Sequence, residues 1–287
     1  MSNDPMNGKG RADLHVHTIY SDGMLHPRDI ISKAMKKGLS AVAVTDHDCI
    51  DGVAPCLRYA RNRAIEVIPG IEFSSFYGNS EVHILGYFID TNSPSLRRTL
   101  AVMKENRRIR FARMLQLLAD QGIQIDRKDA EEQEREGTVG RLNLARLLIR
   151  NSTVNTIKAA FDRFLGTGKS CYVPHKKIYV REAVEIIHSS GGCAVLAHPG
   201  TIRKTENFND IVASGIDGIE VYHPKHRPFQ EKKYLRITEQ RGLIASGGSD
   251  FHGRVTNAGE PDIGDRFVSG DVVDKLRAYS EKYTYTG

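Results

Sequence analysis

The chain has 287 residues, 40% of them hydrophobic and 26% charged, with a net charge of +6. This is enough chain for one large core carrying an insertion, and the balance excludes a disordered or fibrous protein. No apolar run approaches the roughly 18 to 20 residues of a membrane span. The opening "MSNDPMNGKGR" has no apolar centre, so residues 1–10 are expected to be a disordered lead on a cytoplasmic protein.

The first predicted strand opens "ADLHVHTIYSDG", Ala12 to Gly23. Period-two alternation puts Leu14 and Val16 on one face and His15 and His17 on the other, so two imidazoles point the same way. Alone, such a pair is equally the polar face of an ordinary strand, and the rest of the chain must decide. A helix follows in "PRDIISKAMKKG", with Pro27 at a first helical position and Gly38 past the end. The strand patterns "AVAVTDH", "IEVIPGIEF" and "EVHILGYF" come next.

From 95 to 170 there is no strand pattern, and successive helical patterns predict an insertion. Its first helix carries seven basic residues against one Glu between Arg97 and Arg113, which reads first as a solvated face and alternatively as a path for a phosphodiester backbone. Alternation then resumes with "VREAVEIIHSSGG", "CAVLAHP", "GIEVYHP", "PFQEKKYLRITEQRG" and "LIASGGSDFH". Strand and helix in turn predict an α/β fold with a parallel sheet, and a closed barrel would use all seven strands. The four cysteines, Cys49, Cys56, Cys171 and Cys193, form no Cys-x-x-Cys pair and are expected to be buried apolar residues.

In most runs the polar residue falls at or just beyond the C-terminal end, the rim where barrel enzymes assemble their sites. The set is His15, His17, Asp22, Asp46, His47, Glu72, His83, His198, Asp250 and His252, which takes six of the chain's eleven histidines. So many imidazoles and carboxylates brought to one axis are hard to satisfy without metal, and ten such groups require more than one divalent ion. His26 and His188, in or beside helices, read as structural.

The ordered series "DLHVHTIYSDG", "VAVTDHD", "PGIEFS", "HILGY", "AHPG" and "GGSDFHG" resembles the motifs of the PHP (polymerase and histidinol phosphatase) family of metal-dependent phosphoesterases. The resemblance implies a distorted (β/α)7 barrel formed by 11–94 and 171–287, with 95–170 as a helical cap, and two to three divalent ions. Manganese is the first expectation, with iron and zinc as alternatives. It further implies that His15, His17, Glu72 and Asp250 bind one ion, that Glu72 bridges to a second held with His83 and His198, and that Asp22, His47 and His252 bind a third. Asp46 is expected to orient a ligand. A metal-bridging hydroxide would attack phosphorus.

For the substrate, Arg141 in "VGRLNLARLL" resembles a family arginine that reaches a phosphate, although Leu142 and Asn143 depart from the Pro-His pair that commonly follows. Lys225, His226 and His175 are further expected contacts, and His223 in "VYHPKH" is the candidate general acid. The length and the placement of the insertion resemble the stand-alone members. These release phosphate from nucleoside 3',5'-bisphosphates or mononucleotides from the 5' end of short oligonucleotides. A histidinol phosphate phosphatase and a non-catalytic metal-binding module are the rival readings. Neither a membrane nor a protein partner is expected.

Overall fold

A computed structural model describes residues 10–136, 139–174, 178–202, 208–253 and 261–284. The seven expected runs all form strands: β1 (Arg11–Val16), β2 (Ala41–Val44), β3 (Glu66–Tyr77), β4 (Ser80–Tyr87), β5 (Cys193–Leu196), β6 (Gly218–Tyr222) and β7 (Ile244–Gly247). An eighth, β8 (Val268–Ser269), is only two residues long and lies antiparallel on β1. The spatial order is β7-β6-β5-β4-β3-β2-β1-β8.

The sheet nearly closes into a barrel where the chain beyond β7 returns to β1. His17 N donates to the Phe251 carbonyl at 2.9 Å and Phe251 N to the His15 carbonyl at 3.3 Å. This approach requires Gly248, because a Cβ there would stand 2.4 Å from His15 N. Asp13 pins the same seam, accepting from Ser249 N at 2.9 Å and from Gly264 N at 2.8 Å.

The sheet departs from all-parallel order at β4, which runs antiparallel to both β3 and β5. A hairpin through Gly78 and Asn79, with Gly78 at φ 58°, turns the chain straight back, so no crossover helix is needed. This reversal explains why the histidine of "EVHILGYF" sits inside its run: the first residues of β4 lie at the rim that the other strands reach with their last. Strict alternation also fails in β1. Four residues of β1 from Asp13 to Val16 face three of β2 from Val42 to Val44, a bulge. As a result Leu14 packs with Ile68, Leu85 and Val195 in the barrel interior, while Val16 packs outside with Ile30 and Val53.

Helices α1 (Pro27–Lys36) and α2 (Val53–Ala60) cover one side of the barrel. Then come α3 (Pro94–Ala119), α4 (Arg127–Glu136), α5 (Arg141–Arg150) and α6 (Ile157–Ala160), which continues into a π-helical turn at Phe161–Leu165. This stretch has its own apolar cluster, including Phe111, Met114, Leu118, Leu144, Leu148 and Phe164. Helices α7 (Val180–Ser189), α8 (Phe208–Val212) and α9 (Pro228–Arg241) cover β3 to β7, and α10 (Gly270–Thr284) closes the end away from the rim. Among the described residues no helix is long and apolar enough to cross a membrane. All four cysteines are buried and none is in a disulfide.

Candidate metal centre

The rim gathers the strand-end residues around one carboxylate. Glu72, near the middle of β3 and fully buried, has five imidazoles about it. Its Oε1 lies 2.8 Å from His83 Nδ1 and 2.9 Å from His198 Nε2. Its Oε2 lies 3.1 Å from His15 Nε2, 3.2 Å from His17 Nε2 and 3.2 Å from His47 Nδ1. Asp250 Oδ1 approaches both His15 Nε2 and His17 Nε2 to 3.4 Å. Ligand atoms of His15, His17, Glu72 and Asp250 lie within 4.8 Å of one another, as do those of His17, Asp22, His47 and His252, and those of His47, Glu72 and His83. Three residues in or beside this cluster, Asp48, His198 and Asp250, hold positive φ values of 49°, 25° and 54°, a backbone strain that concentrates at functional sites.

Burial favours neutral imidazole, and the carboxylates oppose it. For His17 burial pushes the pKa down, yet Asp250 and Glu72, with Asp22, bring it up to about 9. His83 is likewise carried against its burial, by Glu72 and Glu81, up to about 10. His47 goes the other way, to about 4, because burial and the neighbouring His17 and His83 outweigh Glu72 and Asp22. Asp22 resists its burial and stays well below the usual carboxylate range beside His252 and His47. Protons alone leave this cluster unsatisfied: among the described residues His17 Nδ1, His17 Nε2 and His47 Nδ1 are buried without a hydrogen bond. Imidazole lone pairs facing carboxylates across gaps of 3.2 to 3.8 Å, without hydrogen-bond geometry, suit divalent cations.

A family model for the PHP domain matches residues 13–217, well over half of the chain. The chain belongs to the PHP family. The 5'-3' exoribonuclease Rnm of Escherichia coli (strain K12) is 32% identical over 247 residues, covering 84% of each chain. The 3',5'-nucleoside bisphosphate phosphatase of Chromobacterium violaceum is 34% identical over 246 residues, covering 84% of this chain and 86% of that one. A Bifidobacterium adolescentis protein described as a metal-dependent phosphoesterase superposes with a TM-score of 0.86 at 26% identity, covering 96% and 97%. This PHP protein is a phosphoesterase.

Eight of the nine residues expected as PHP metal ligands fall in these three groups, and the ninth, His198, adjoins them through Nε2, 2.9 Å from Glu72 Oε1. The structure adds two cross-links to the expected grouping, since His17 also stands with Asp22 and His252, and His47 also stands with Glu72 and His83. Arg141 is mostly buried, with Nη2 3.3 Å from Glu81 Oε2. Lys225 reaches Asp250 Oδ2 with Nζ at 3.3 Å while its side chain is 64% exposed.

Three of the expected residues have protein partners close by. Asp46 touches no ring nitrogen: it accepts from Thr18 N, Thr18 Oγ1 and Ser21 Oγ at 2.6 to 2.7 Å and so holds the loop after β1. His226 has both nitrogens on backbone, Nδ1 2.8 Å from the Val221 carbonyl and Nε2 accepting from Gly200 N at 3.1 Å. His223 is fully buried, with Nε2 3.2 Å from Asp250 Oδ2 and Nδ1 accepting from Lys225 N at 3.1 Å, and it lines the cavity that holds Asp250 and Lys225. His175 lies outside the described residues. His188 is structural as expected, 2.8 Å from Asp217 Oδ2.

Sequence reasoning passed over two sets of residues. Glu220 is fully buried, with Oε1 2.9 Å from His15 Nδ1 and Oε2 accepting from His198 N at 2.7 Å. It therefore fixes the proton of His15 on Nδ1 and turns the Nε2 lone pair toward Glu72 and Asp250. The available signal was a lone acid inside the apolar run "GIEVY". The second set lies on α3, where Arg107 and Arg110 are buried rather than solvated. Arg107 donates to Asp48 Oδ2 through Nε at 2.8 Å, and through Nη2 both to that oxygen and to Ser74 Oγ. Asp48 also accepts from Ser74 N and follows His47, so α3 is tied directly to the rim.

Proposed function

We propose that this phosphoesterase acts on nucleotides, releasing phosphate from a nucleoside 3',5'-bisphosphate or mononucleotides from the 5' end of a short oligonucleotide. The observation that carries the phosphoester reading is Glu72 encircled by five imidazoles beside Asp250. The names of relatives matched across 84% of the chain support the nucleotide.

His15, His17, Asp22, His47, Glu72, His83, His198, Asp250 and His252 would hold two to three divalent ions, manganese first among them. Bound there, such ions supply Lewis-acid polarisation of a phosphoryl oxygen and lower the pKa of water. The chain's own part is orientation and charge. Glu220 and His223 hold the rings and the carboxylate in place through bonds to His15 and Asp250. Lys225 and Arg141 stand in the cavity walls with positive charge for phosphate oxygens.

The test is a panel of a nucleoside 3',5'-bisphosphate, a short 5'-phosphorylated RNA and histidinol phosphate, assayed with added manganese. The reading expects the highest kcat/KM on one of the first two. Faster turnover of histidinol phosphate would refute it.

A further inference from the structure

Two of the imidazoles around Glu72 are held from behind by different kinds of group. His15 Nδ1 stands 2.9 Å from Glu220 Oε1, a buried carboxylate that can only accept. His198 Nδ1 stands 3.1 Å from Thr201 Oγ1, a hydroxyl that can accept or donate. Thr201 closes the single helical turn Pro199–Thr201 that follows β5. Its Oγ1 also lies 2.9 Å from the His198 carbonyl, which accepts as well from Thr201 N at 3.0 Å. His198 N in turn donates to Glu220 Oε2. The backbone of His198 is thus pinned at its strained φ of 25°, and only the place of the ring proton is left open.

That proton has two complete arrangements. In one it sits on Nδ1 and goes to Thr201 Oγ1, whose own proton goes to the His198 carbonyl, and Nε2 then offers a lone pair on the side of Glu72 Oε1, 2.9 Å away. This is the form that can ligate. In the other the proton sits on Nε2 and goes to Glu72, while Thr201 turns its hydroxyl to Nδ1 and the carbonyl keeps Thr201 N. No polar group is orphaned in either, so passing between them costs little. His15 has no such alternative, because a proton moved off Nδ1 would leave its lone pair facing that of Glu220. Access differs in the same sense: His15 and His17 are fully buried, whereas His198 and His83 both line two cavities of about 550 and 720 Å³.

We infer that Thr201 is a positioning residue that lets His198 change tautomer, so that an ion bound through His198 is exchangeable while an ion bound through His15 is resident. The inference rests on the metal-binding reading above and adds how the ions differ.

Two measurements on the full chain test it. Thr201 is exposed, so its replacements open no cavity. In the first, wild type, T201S, T201V and T201D are dialysed against chelator-buffered manganese and the bound ion is measured. Wild type and T201S bind in a tighter and a weaker class. T201V offers nothing to the Nδ1 proton and loosens the weaker class by about fivefold, whereas T201D can only accept and tightens it by a similar factor. The tighter class moves in neither variant. In the second, ring-nitrogen NMR spectra of EDTA-treated and zinc-loaded protein locate the histidine protons. The His198 proton is on Nε2 without metal and on Nδ1 with zinc in wild type, and on Nδ1 throughout in T201D, while His15 keeps its Nδ1 proton in every sample. A His198 proton on Nδ1 in metal-free wild type overturns the inference even if a variant does not fold. So does a single class of manganese in wild type, or a weaker class that T201V and T201D move in the same direction or not at all. Two classes of manganese with no hydrolysis of any nucleotide would instead sink the reading above and leave this one standing.

Discussion

Glu220→Gln changes one charge and almost no volume at the back of the metal cluster. In the native protein one carboxylate oxygen is 2.9 Å from His15 Nδ1 and the other accepts from His198 N at 2.7 Å. The amide keeps a single acceptor. If its oxygen stays on His198 N, its NH2 meets His15 Nδ1 and forces the imidazole proton onto Nε2, the atom that faces Glu72 and Asp250. A charge-assisted bond exceeds a neutral one by about 1 kcal/mol, so the two contacts together lose about 2 kcal/mol. At 1.4 kcal/mol per decade this is roughly a thirtyfold loss of affinity for an ion held by His15. It lies within the 10- to 100-fold range usual for carboxylates that back a ligating histidine. The assay is chelator competition for manganese in wild type and E220Q, with circular dichroism confirming the fold. Manganese affinity within about twofold of wild type would refute the tautomer argument, because a fixed Nδ1 proton cannot then matter.

Three further outcomes are expected. D250N and H15N should each abolish metal-dependent phosphate release, read as phosphate production with manganese present; full activity in either would remove them from the site. R107M leaves the Asp48 carboxylate buried and unpaired and should lower stability by about 3 kcal/mol or more, measured by urea unfolding. The metal-free protein should take up manganese more tightly as pH rises from about 6 to 9, with proton release in calorimetry run in two buffers. The sign follows from His17 at about 9 and His83 at about 10. Both stand above the ordinary histidine value, so the stability they contribute without metal is full below about 6.5 and is lost as pH rises through 9 to 10. Over that same window the protons that compete with the ion leave.

Most candidate ligands were legible because they stand at or beyond the end of an apolar run, where a buried charged or imidazole group has no ordinary reason to be. Glu220 and Asp13 were not, because each sits within such a run and its partners are far along the chain: His15 lies 205 residues from Glu220, and Ser249 lies 236 from Asp13. The same distance hid Arg107. A run of seven basic residues looks solvated when the one acid that buries it, Asp48, is 59 residues away. The reversal of β4 had a local signal in Gly78 and Asn79, but the alternation of strand and helix on either side outweighed it. For His223 and His226 the rim position was visible in the sequence and the ring-nitrogen partners were not.

The reversal of β4 also sets a length. Because β4 descends from the rim, the chain leaves it at the far end of the barrel, where Asp90 N meets the Ser190 carbonyl and α3 starts. The helix must climb back along the outside, through Leu96 and Leu100, before it can deliver anything to the rim. From Ser93 to Arg107 that climb is about 21 Å at 1.5 Å per residue. The lower half of α3 is therefore a ruler, and the arginines are marks on it. Adding or removing one turn would keep them on the same face and move them by about 5.4 Å, enough to separate Arg107 from Asp48.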